Sequence, residues 1–136
     1  MSDQTNGALH GISLDASFTV NDLEKSLAWY CDVVGFTLDQ KHERGGRVVA
    51  ASLRAGSVRI LLAQDDGAKG WDRVKGEGCS VQITTDGDMT ALAEGIKARG
   101  GTLETELTDT PWGVRMFRLR DPDGFRMTVS SPRPTN

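Results

Sequence analysis

Histidine and cysteine are both scarce in this chain, with two of each among 136 residues. Cys31 and Cys79 lack the close spacing of a metal or redox pair, so the chain is read as reduced and cytoplasmic, with both thiols as small buried groups. No apolar run long enough for a signal peptide or a membrane span precedes the first predicted strand, so no membrane partner is expected. Basic residues do not dominate either. Sixteen Lys and Arg stand against nineteen Asp and Glu, with no basic run and no aromatic–basic interleaving of the kind that tracks a phosphate backbone, so nucleic acid is not expected as a partner. What remains is one domain by length, residues 1–136, large enough to bury roughly two thirds of its unfolded surface.

The chain carries a repeat. LDASFTV (14–20) alternates, with Ala16, Phe18 and Val20 on one side and Asp15, Ser17 and Thr19 on the other, which predicts a strand with one wet or functional face. In NDLEKSLAWYCDVVG, Asn21 or Asp22 can cap a helix, Leu23, Leu27, Tyr30 and Val34 fall at helical spacing, and Gly35 ends the run. FTLDQKHE, RVVAASL and SVRILLAQ read as three strands, with turns at the polar KHERGG stretch, which holds His42, and at RAG (54–56). The order β-α-β-β-β then recurs. GCSVQITT is a strand, DMTALAEGIKARGG a helix capped by Asp88 with Met89, Leu92 and Ile96 on its apolar side, and TLETELTD, RMFRLRD and GFRMTVS supply three more strands. Module one spans about 12–65, a polar, glycine-rich linker 66–77, and module two about 78–131. Both chain ends are polar and aperiodic and read as loosely held.

DPDGFRMTVS (121–130) closes the second module. Pro122 presets φ, Asp121 and Asp123 bond their own backbone, and Gly124 accepts a positive φ. The flanking runs alternate, placing Phe117, Leu119, Phe125, Met127 and Val129 on one face and Met116, Arg118, Arg126, Thr128 and Ser130 on the other.

The tandem, with FTVNDLEKSLAWYCDVVGF early and GGTLETELTDTPWGVRMFRLRDPDGFRMTVS late, resembles the vicinal oxygen chelate superfamily of glyoxalases, bleomycin-type resistance proteins and extradiol dioxygenases. The resemblance implies an α+β fold in which each module's mixed sheet curls into a half-open cup, with helices on the convex side and ligand on the concave side. It also implies a cup completed across modules or across a homodimer. The positions at which metal enzymes of this superfamily carry ligands fall on Asp15, Leu61, Ser80 and Thr128. Only Asp15 is a competent donor, because hydroxyls and aliphatics do not hold a divalent ion against water. His10 precedes the first strand and His42 sits in a polar turn, so neither rebuilds the site, and no metal or other cofactor is expected.

Alternation gives the concave set: Asp15, Ser17, Arg59, Leu61, Ser80 and Gln82, then Met116, Arg118, Arg126 and Thr128. These residues either pair with one another on an exposed sheet face or line a pocket for a small organic molecule. Trp112 in the PWG loop and Trp71 in the linker offer flat rings for stacking, or cover core edges. Trp29 reads as packing. The function implied is metal-free sequestration of a planar or amphipathic ligand, as in bleomycin resistance, with no catalytic residue. The alternative is a lyase or oxidoreductase resembling glyoxalases or dioxygenases, either metal-dependent or using Asp15 as general base with Arg118 steadying an anion.

Overall fold

A computed structural model describes residues 7–134, so the outermost parts of the two ends read as loosely held lie outside the described residues. The first half contains β1 (Ala16–Val20), α1 (Leu23–Ala28), β2 (Thr37–Arg44), β3 (Arg47–Ala55) and β4 (Val58–Gln64). The second contains β5 (Ser80–Thr84), α2 (Met89–Ala98), β6 (Thr105–Asp109), β7 (Arg115–Arg120) and β8 (Arg126–Ser130). Each half makes a four-stranded sheet, ordered β1-β4-β3-β2 and β5-β8-β7-β6. The β1–β4 and β5–β8 pairs are parallel and the rest antiparallel, which is why a helical crossover must separate the first and last strands of each half. The sheets are open and uncurled, and with the two helices they give the α+β fold that the resemblance implied.

Both helices begin where a carboxylate satisfies an orphan backbone donor. Asp22 accepts from the amide of Lys25 at 3.2 Å and Asp88 from that of Ala91 at 3.1 Å. In the first helix Leu23, Ser26 and Tyr30 point inward, and after Ala28 the winding loosens into a π-helical turn, Trp29–Val34, ended by Gly35 at φ 111°. In α2 the buried stripe is Met89, Ala93 and Ile96. Leu92, expected on the apolar side, lies at the margin of that stripe and is 36% exposed. Phe18, Val20, Leu53, Ile60, Leu62, Phe117, Leu119, Met127 and Val129 join these residues in one core shared by both halves.

The halves are buckled together at the DPDG turn. Tyr30, fully buried, donates its hydroxyl to Asp121 Oδ2 at 2.8 Å, while Asp121 Oδ1 accepts from the amides of Asp123 and Phe125. Burial and the Asp121 carboxylate push the Tyr30 phenol far above its usual range, and burial raises the Asp121 carboxyl. Asp123 accepts from the Asn21 amide and the Ser26 hydroxyl, and the Phe18 and Phe125 rings stack with centroids 4.3 Å apart. The segment between the sheets is pinned as well. Lys75 Nζ reaches Asp65 at 2.7 Å and the Asn21 side chain at 2.8 Å, and a side chain on Gly76 would strike the Gly124 carbonyl.

Two expectations are corrected. His42 is within β2, paired with Ala50, because the hairpin extends to a tight turn at Gly45 and Gly46, whose φ values of 62° and 76° suit glycine. Cys79, in the turn just before β5, is exposed and Cys31 is half-buried, so neither thiol is the fully buried group expected.

Candidate ligand-binding cleft

Alternation along three adjacent strands builds the site. In β5, β8 and β7 the register aligns Gln82 with Thr128 and Thr128 with Arg118. Residues paired across a sheet share a face, so these three form one row on the side away from the core. The next row is Thr84, Ser130 and Met116. Arg118 Nε donates to Thr128 Oγ1 at 3.3 Å, which fixes the plane of the guanidinium and accounts for the threonine hydroxyl.

Above these rows lies a cleft of about 330 Å3. Gln82, Met116, Arg118 and Thr128 form its floor, together with Thr84, Val114, Ser130 and Ser131, while Trp112 and Arg133 complete the lining. Trp112 is 65% exposed although bulky and apolar, held on the Thr110–Val114 turn, where the Thr110 hydroxyl bonds the Val114 carbonyl and accepts from its amide. A ring so placed is available for stacking.

Asp15, Ser17, Arg59 and Ser80 line a second crevice of about 530 Å3 between the facing edges of β1 and β5, with Leu14, Ser57 and Cys79 at its ends. Gln82 and Thr84 line both spaces, which therefore adjoin along β5. Leu61 lines neither; it pairs with Ser17 and Ser52 on the outer face of the first sheet, half-buried. Arg126 is drawn to the sheet end, where it and Arg120 meet Glu104 at 3.5 and 2.8 Å. Trp71 is remote from the cleft, its ring lying against Gly67 beside a groove between α1 and the β2–β3 hairpin.

Sequence reading left out Thr84 and Ser130 although the same alternation places them on this face. Ser131 and Arg133 carried no signal, because a short aperiodic tail gives no indication of folding back over a sheet.

The four positions at which the superfamily holds metal do not fit an ion here. Asp15 and Ser80 lie in the crevice, Thr128 in the cleft and Leu61 in neither, and among the described residues no three His, Cys, Asp or Glu side chains are grouped so as to bind one. Nor, among the described residues, is any helix long and apolar enough to cross a membrane.

Solved structures share the architecture. TioX from Micromonospora sp. ML1 superposes with a TM-score of 0.70 at 20% identity, over 92% of this chain and 99% of that one. A glyoxalase/bleomycin resistance protein/dioxygenase from Nocardioides gives 0.67 at 19% identity, over 98% and 94% of the two chains. TnmS3 from Streptomyces sp. CB03234, described as an antibiotic binding protein, gives 0.66 at 23% identity, over 91% and 99%. Comparison with curated protein sequences returns no match. The sequence profile of one family matches residues 13–129, from just before β1 into the last strand, β8, and the chain belongs to the glyoxalase/bleomycin resistance protein/dioxygenase superfamily.

Proposed function

We propose that this protein binds and sequesters a planar or amphipathic small organic molecule in the cleft of the second sheet, without a metal and without breaking a bond. The observation that carries the reading is the row Gln82–Thr128–Arg118 beneath an exposed Trp112, which pairs a few oriented polar groups with a flat apolar surface, as small-molecule sites do. The fold neighbour described as an antibiotic binding protein points the same way. Asp15, Ser17, Arg59 and Ser80 extend the site along the crevice, whereas Leu61, half-buried on the outer face of the first sheet, stands apart from it. The chain works as one domain of two modules joined by residues 66–77, in the cytoplasm. It acts as a homodimer, which covers the free edges of the open sheets.

A thermal-shift screen of planar organic molecules tests the reading, because a ligand of the native state raises the melting temperature. Binders whose effect disappears in Thr128→Leu support it. Binders indifferent to Thr128→Leu, or one equivalent of a divalent metal in the purified protein, refute it.

A further inference from the structure

Some arginines of this chain are paired with carboxylates: Arg54, Arg73, Arg115, Arg120 and Arg126 each face one within 4.0 Å. Among the described residues Arg44, Arg47, Arg59, Arg99, Arg118 and Arg133 have no ion-pair partner, and what distinguishes Arg118 and Arg133 is that they share one cleft, that of the second sheet. The lining holds no Asp or Glu at all, in a protein whose formal net charge is −3. Two guanidiniums without an ion-pair partner among the described residues thus line one partly apolar cleft.

The remaining polar groups are biased the same way. With Arg118 Nε engaged by Thr128, its two terminal nitrogens have no hydrogen-bond partner among the described residues, leaving a pair of donors that suits a carboxylate. The Ser131 hydroxyl accepts from the Arg115 amide at 2.9 Å, which leaves its proton to donate. Trp112 and Met116 supply apolar surface on the same cleft.

From this we infer that the cleft selects an anionic ligand, an aromatic or similarly flat carboxylate whose acid group meets Arg118 and Arg133 while its ring lies on Trp112. The inference rests on the proposed binding function and names the chemical class that function serves.

Naphthalene-2-carboxylate and its neutral isostere naphthalene-2-carboxamide are titrated into the full chain by calorimetry. The carboxylate is expected to bind roughly 10-fold tighter or more, as charge-assisted hydrogen bonds replace neutral ones. Arg118→Gln should abolish that preference, and Arg133→Gln should reduce it. Because both side chains are exposed, each variant should keep the wild-type circular dichroism and melting curve. Equal binding of the two probes overturns the anion inference while leaving a cleft that binds flat molecules. A preference that survives in both variants also overturns it, since another cation would then be responsible. If neither probe binds at millimolar concentration, this inference and the binding function fail together.

Discussion

The two sheets have the same strand order and the same pairing, yet their outer faces have diverged. In the first, the register sets Ser17, Leu61 and Ser52 in one row and Thr19, Ala63 and Ala50 in the next. The corresponding rows of the second are Gln82, Thr128 and Arg118, then Thr84, Ser130 and Met116. Both sets of rows carry hydroxyls, but the first adds only a leucine and two alanines where the second adds an amide, an arginine and a methionine. The inner faces show no such contrast: Phe18, Val20, Leu53, Ile60 and Leu62 on one sheet match Phe117, Leu119, Met127 and Val129 on the other in being buried and apolar. The core requirement is the same in both halves, because each must bury a sheet face, while the outer faces, free of that requirement, differ.

If the inner faces are equivalent, truncating either should be costly. Met127→Ala, at 2% exposure, is expected to destabilise the protein by about 2–5 kcal/mol through lost burial and a residual cavity, and Leu62→Ala in the first sheet by a similar amount. Urea unfolding measures both. A loss confined to one sheet would break the comparison and indicate that only that half carries the core.

A smaller effect is expected where the halves join. Tyr30→Phe removes the donor to Asp121 Oδ2 and leaves a buried carboxylate oxygen without its partner, a cost of about 1–3 kcal/mol. Asp121→Asn in the same background restores a side chain that tolerates burial uncharged, so the double variant should recover part of the loss in a denaturant titration. No recovery would mean that the hydroxyl, rather than the carboxylate left behind, sets the cost.

How much of this was legible in the sequence follows the range of each signal. Strand alternation and the caps Asp22 and Asp88 are local, and they give the element order and the inward residues nearly throughout. The row Gln82–Thr128–Arg118 was legible too, since a period of two fixes a face without knowledge of the neighbours. Contacts between distant segments were not. Tyr30 reads as one more apolar position in a helix, and nothing near it in sequence announces Asp121. Lys75 and Asp65 read as charges in a polar stretch, yet they form a buried pair. His42 was misplaced because a polar edge strand looks like a turn: every residue of β2 is exposed, so no hydrophobic alternation marks it.

The buried pair gives the comparison a pH dependence confined to acid. The Lys75 ammonium, the Gly67 amide and Arg73 hold the Asp65 carboxyl down to about 2, below the ordinary value of about 3.9. A depressed folded-state pKa contributes stability that is present above the unfolded value and is lost as pH falls through the folded one. Melting temperature should therefore fall between about pH 4 and about pH 2. Asp65→Asn should flatten that limb. An unchanged acid limb in the variant would place the responsible carboxylates elsewhere.

The smallest stability effects test the outer faces themselves, by exchanging the side chains at the two positions that correspond between the sheets. Thr128→Leu removes the acceptor of Arg118 Nε and fills part of the cleft. Leu61→Thr imports the polar group to a row where the paired residues are Ser17 and Ser52. Thr128 and Leu61 are both half-buried and project away from the helix-packed core, so each exchange is expected to shift stability by no more than about 1 kcal/mol. Binding should separate them. Thr128→Leu should abolish the titration with naphthalene-2-carboxylate, and Leu61→Thr should leave it within a factor of about two, inside the tolerance for changes that touch no ligand. Equal losses from the two variants would show that the first sheet supplies as much of the site as the second. A Thr128→Leu protein as unstable as Met127→Ala would mean that the inner and outer faces of β8 are reversed.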